Sequence, residues 1–82
     1  MLDTAWLRCE VHPGMFSDES AIGVITDEGL VSFFLSNHLI KDNEIAVGVV
    51  ARNGEYGVVM LPERTFEGSN AARVPIGSLR FA

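Results

Sequence analysis

Asn53-Gly54 restricts this chain more than any other feature. It stands between two apolar runs, residues 44–52 and 55–62. Asparagine followed by glycine is the strongest two-residue hairpin signal, because both positions accept the positive φ of a type I′ turn. With 53–54 as the loop, Arg52 falls opposite Glu55, a favourable cross-strand pair. One face of the hairpin then carries Val47, Val49, Ala51, Tyr56, Val58 and Met60. The other carries Gly48, Val50, Gly57, Val59 and Leu61. Antiparallel pairs normally keep one face wet, and here both are apolar. Gly48 and Gly57 add a second signal, since glycine within a strand marks a sharp bend or a close backbone approach.

A second hairpin is expected over residues 21–25 and 30–35, joined through Asp27-Glu28-Gly29. Gly29 suits a left-handed bulge position there. In the run Leu30-Val31-Ser32-Phe33-Phe34-Leu35, alternation sets Val31, Phe33 and Leu35 on one side. Leu30, Ser32 and Phe34 face the other way, so an aromatic lands on the side that should be wet: Phe34, or Phe33 if the register slips. A helix running through Ile40 competes with this strand; the flanking glycine and the Val/Phe content favour the strand. Residues 4–11 read as a first strand, with Ala5, Leu7, Cys9 and Val11 inward, ended by His12-Pro13-Gly14. Residues 37–43 read as a connector and 63–70 as irregular. The tail from residue 72 reads as a short strand, a turn around residues 75–78 and a closing stub.

Short apolar runs punctuated by eight glycines and three prolines are the all-β signature. The expected fold is a single small five- to six-stranded antiparallel barrel or roll spanning residues 1–82. A tight central hairpin and a terminal strand that follows a turn resemble the SH3-like small barrels. The likeness is one of architecture, so it implies a fold and carries no activity or binding residues with it. Met1 and the well-patterned ends favour a complete chain.

An 82-residue domain has a thin core. Yet 48% of the residues are apolar before any glycine is counted, whereas typical domains reach about 45–50% with glycine included. Seven aromatics (Trp6, Phe16, Phe33, Phe34, Tyr56, Phe66 and Phe81) exceed what so small a core holds. Surplus apolar side chains at a surface are typical anchors of protein interfaces. The formal charge of −5 is uneven. Residues 1–44 carry only Arg8 and Lys41 against eight acids, while residues 45–82 are nearly balanced. With no Lys/Arg cluster, nucleic acid and anionic membrane surfaces are disfavoured as partners. A lone cysteine, no signal-peptide pattern and no long apolar run lead us to expect a cytoplasmic protein.

Chemical motifs are sparse. Cys9, His12 and His38 fall short of a structural zinc set, which needs four ligands at paired spacings. A Cys9–His38 nucleophile pair needs a lowered thiol pKa, and alternation puts Cys9 on the buried side. No phosphate loop precedes a helix, and there is no Gly-x-Ser-x-Gly. We therefore expect no enzyme, no cofactor and no metal. Two acidic loop pairs, Asp18-Glu19 and Asp27-Glu28, are the candidates for a ligand or cation mouth. The leading expectation is a protein-interaction module using an apolar β surface, with the chain itself as a homodimer or another protein as the partner. Its candidate contact residues are Phe34, Val50, Val59 and Leu61. A small-ligand or cation-binding regulatory domain is the first alternative. An RNA- or ribosome-associated barrel is the second, and the acidic balance opposes it.

Overall fold

The structure, a computed structural model, describes residues 3–66 and 68–81. These form two antiparallel sheets and no α-helix, as the turn spacing predicts. Nine strand segments take the place of the expected five or six: β1 (Asp3–Arg8), β2 (Glu10–Pro13), β3 (Glu19–Thr26), β4 (Gly29–Ser36), β5 (Ile40–Lys41), β6 (Glu44–Arg52), β7 (Tyr56–Met60), β8 (Ala71–Pro75) and β9 (Leu79–Phe81). The larger sheet has the order β8-β7-β6-β1-β9, with β5 paired to β6; the smaller has the order β2-β3-β4. No closed ring of strands forms among the described residues.

The expected first strand is divided between the sheets. Ala5, Leu7 and Cys9 all point inward, as alternation requires, but the chain leaves the larger sheet after Arg8 and enters the smaller at Glu10. Cys9 is the corner. Its N–H donates to the Asn43 carbonyl at 3.0 Å and its thiol to the same oxygen at 3.5 Å. Asn43 lies in the two-residue turn between β5 and β6, where Asp42 and Asn43 take φ of 53° and 61°. Those angles fit the type I′ turn, with Lys41 paired to Glu44 across it.

Asn53-Gly54 is not that turn, and the pairing predicted around it is corrected. Arg52 pairs with Gly57 and Ala51 with Val58 across a four-residue loop. The Asn53 side chain holds this loop: its Oδ1 accepts the Glu55 and Tyr56 N–H groups at 2.7 and 2.8 Å. An Asx turn of this kind needs no positive φ at Asn53 or Gly54, and neither shows one. A bulge at Val50 then shifts the register, so that Val49 pairs with Val59 and Gly48 with Met60. The physical reason is core burial. One residue of slip exchanges the two faces of a strand, and the observed register puts Val59 and Leu61 inward beside Val47 and Val49.

One core lies between the sheets. Phe33, Ile22 and Val24 from the smaller sheet meet Leu7, Ile45, Val59 and Val74 from the larger, all fully buried. The 30–35 run is a strand, with Phe33 in this core and Phe34 facing out. Backbone hydrogen bonds link the smaller sheet to β8 and to the 63–70 stretch: the Asp27 N–H donates to the Arg73 carbonyl at 3.0 Å and the Phe66 N–H to the Ser32 carbonyl at 2.8 Å. The 63–70 stretch is irregular, Glu67 lying outside the described residues, and the turn expected near residues 75–78 is a 3-10 turn, Ile76–Ser78, leading into β9.

Two substitutions test this arrangement by urea unfolding. Phe33→Ala should cost about 3–5 kcal/mol, whereas Phe34→Ala, on the partly exposed face, should cost distinctly less. Val59→Asp, which buries a lone carboxylate, should abolish folding.

Candidate functional site

Odd-numbered positions of β3 and even-numbered positions of β2 and β4 point away from the core. The register lays them out in rows: Ile25 with Leu30; Glu10, Gly23 and Ser32; His12, Ala21 and Phe34; Glu19 with Ser36. The middle of this outer face is therefore made of small side chains, with large apolar ones towards its ends. Gly23 lies beneath Leu30 in the middle of this face. A Cβ at that position would lie 3.2 Å from Leu30 Cδ1 and 3.6 Å from the Glu10 Cβ, so glycine lets Leu30 lie across the strand. Ile25 and Leu30 remain 53% and 54% exposed.

Phe34 is half covered by Phe66, whose ring centroid is 5.1 Å away at a 54° tilt. The hydrogen bond from Phe66 N–H to Ser32 fixes this partner at the edge of β4, yet Phe66 is itself 62% exposed. The 14–18 loop, between β2 and β3, presents Met15 and Phe16 to solvent. Asn37 ties that loop down, its N–H donating to the Asp18 carbonyl at 2.9 Å and its Nδ2 to the Ser17 carbonyl at 3.2 Å. Among the described residues, Ile25 and Leu30 are the large hydrophobics of high exposure on the smaller sheet; Met15, Phe16 and Phe66 are in loops, Leu39 is in the turn between β4 and β5, and Val50 is on β6.

The sequence-derived contact residues are thus divided. Phe34 and Val50 are at the surface on different sheets, Val50 at the bulge of β6. Val59 and Leu61 are in the core and are withdrawn from any partner-facing role, because the bulge at Val50 turns them inward. Ile25, Leu30 and Phe66 are exposed apolar side chains the sequence reading did not single out as contact residues. Alternation along 19–25, with Ala21, Gly23 and Ile25 on one side, was the available signal for part of this face.

The acidic pairs do not form a common mouth. Asp18-Glu19 stands at the start of β3 and Asp27-Glu28 beyond its end, so an eight-residue strand, roughly 25 Å long, separates them. Among the described residues no three of His, Cys, Asp and Glu converge as a metal-holding group. Asp27 instead meets the Arg73 guanidinium at 3.7 Å, and that guanidinium lies 4.8 Å from the Tyr56 ring centre. A groove of about 580 Å³ runs beside this pair, with Thr26, Leu30, Val58 and Ala72 among its walls.

A second cleft, about 310 Å³, is lined by Trp6, Lys41, Asp42, Glu44 and Arg80. Arg80 donates from Nη2 to Glu44 Oε1 at 2.7 Å. This hydrogen bond holds the Glu44 carboxyl below its usual range. Two cations and two carboxylates share the cleft, so its charge is balanced internally. The histidines stand apart from the thiol. His12 Nε2 lies 3.1 Å from Glu10 Oε1, and His38 Nδ1 lies 2.8 Å from Ser36 Oγ. Burial first, and the Glu44 charge second, push the Cys9 thiol up to about 11. A protonated thiol at neutral pH is a poor nucleophile. No protein-family model, no curated protein and no solved structure matches this chain.

The Cys9 environment sets a pH dependence. Its folded pKa exceeds the ordinary value, so the native state holds the proton longer than the unfolded chain does. The resulting stability is complete below about pH 9 and should be lost as pH rises towards about 11. Urea midpoints across this range should fall, and Cys9→Ala should flatten the fall. Alkylation of the native thiol should remain slow until the same window is reached.

Proposed function

We propose that this protein is a non-enzymatic interaction module whose contact surface is the outer face of the β2-β3-β4 sheet. The observation that carries the reading is the exposed pair Ile25 and Leu30 at one end of that face, with Phe66 against Phe34 further along it. Single apolar side chains on a surface need no explanation, whereas several large ones on one sheet face point to a docking site. The face is supported from within the fold: Leu30 lies over Gly23, the Ser32 carbonyl accepts from the Phe66 N–H, and Phe33, Ile22 and Val24 back the sheet from the core.

The architecture proposed for the module is an open SH3-like roll. The corner at Cys9, where one strand passes between sheets, and the 3-10 turn before β9 support it. A cytoplasmic setting goes with the reading, since it keeps the single buried thiol reduced. No helix among the described residues is long and apolar enough to cross a membrane. Self-pairing is one form of the proposal. It brings identical acidic edges together, a cost that a different partner avoids.

The test is affinity capture with matched variants of the tagged chain. Ile25→Ser combined with Leu30→Ser should remove captured partner, or a second copy, while circular dichroism stays native. Val50→Ser, an exposed apolar position on the other sheet, should keep it. Equal capture by all the variants would overturn the assignment.

A further inference from the structure

We infer that the occupant of this face is a cationic, apolar polypeptide segment, one that presents large apolar side chains next to Lys or Arg. The inference rests on the interaction reading above and names the chemistry of the partner. From Cys9 to Ile40 the chain contains five acidic residues and not one lysine or arginine. The whole smaller sheet and its loops fall within that stretch. Glu10 and Glu19 stand on the outer face itself, Asp18 precedes it, and Asp27 and Glu28 form the hairpin tip beside Ile25 and Leu30.

Among the described residues only Asp27 of these five has a Lys or Arg partner, Arg73. Glu10 touches the His12 imidazole, and Asp18, Glu19 and Glu28 form no ion pair. Of the six basic residues, three are engaged within the fold: Arg80 with Glu44, Arg73 with Asp27 and Tyr56, and Arg52 over the Phe81 ring at 4.2 Å, while Arg8 lines a cavity with Glu10, Gly23 and Ile25 at one margin of the face. Five carboxylates thus stand on or around the apolar face, against Arg8 and Arg73 at its margins. Complementary charge steers encounter and selects partners. A second copy fails this criterion, because an isologous contact sets the acidic face against itself.

The mode of contact follows from the edge of β4. Its Ser32 carbonyl, at mid-strand, is already taken by Phe66. Addition of a further strand along β4 is obstructed, so recognition goes through side chains on the face. Small Ala21, Gly23 and Ser32 form its floor between the Ile25–Leu30 and Phe34–Phe66 groups, with Leu30 lying over Gly23.

The experiment is fluorescence anisotropy with two synthetic amphipathic peptides, one of leucine and lysine and its leucine and glutamate counterpart, alongside light scattering of the chain alone. The lysine peptide should bind and the glutamate peptide should not, and salt should weaken the complex. Ile25→Ser with Leu30→Ser should reduce affinity about tenfold or more. Glu10→Gln with Glu19→Gln should reduce it for the lysine peptide and relax the discrimination, and Val50→Ser should change neither. Equal binding of both peptides, lost in the Ile25/Leu30 variant, would keep the docking face and overturn the cationic partner. A stable dimer lost in that variant would do the same and assign the face to a second copy. No binding of the lysine peptide, or binding that the Ile25/Leu30 variant leaves unchanged, would overturn the proposal; only indifference of both peptide binding and self-association to that variant reaches the interaction reading as well.

Discussion

Both sheets share one layer of apolar side chains, and every other feature is arranged around it. Phe33, Ile22 and Val24 press against Leu7, Ile45, Val59 and Val74 with no exposure to speak of. A chain of this size has no second core to fall back on. The layer therefore dictates which of two nearly equivalent faces of each strand turns inward. In β6 and β7 both faces are apolar, and turn chemistry alone would accept the opposite choice. The bulge at Val50 is the adjustment that satisfies the core, and its cost is one valine left half in solvent.

The same demand accounts for the corner at Cys9. A continuous strand with four inward side chains would run past the edge of a small sheet. Breaking the pairing at Cys9 lets Ala5 and Leu7 face the core from one sheet and Val11 from the other. The corner is held by Asn43, whose left-handed backbone and carbonyl serve the β5–β6 turn and Cys9 together. Burial there also explains the high thiol pKa. The residue is shielded because it sits where the two sheets meet, and a buried thiol of that kind is structural rather than reactive.

Function, as proposed, lies on what the core leaves over. The smaller sheet presents three strands to solvent with nothing behind them but the core layer. Its outer side retains Ile25, Leu30 and Phe34, together with Phe66 delivered by a loop. On the larger sheet Arg52, Arg73 and Arg80 are held in internal aromatic and carboxylate contacts. An apolar face bordered by carboxylates on the smaller sheet and a larger sheet on which three arginines are paired internally give the molecule two unlike sides.

Much of this was legible in the chain. Alternation put Ala5, Leu7 and Cys9 inward, turn spacing gave the all-β class, and glycine and Val/Phe content favoured a strand at 30–35 with Phe34 or Phe33 outward, because these are local properties of the chain. The charge asymmetry between the two halves was equally plain, being a property of composition. Three matters waited for the tertiary structure. The turn at Asn53-Gly54 adopted an Asx-held loop, since the register it had to serve was set by core contacts far away in sequence. Val59 and Leu61 moved from surface to core for the same reason. The two acidic pairs stood at opposite ends of β3, because loops adjacent in sequence are separated by the length of the strand between them. Local chemistry determined which segments would be strands; only the packing of distant strands on one another decided which side of each would meet water.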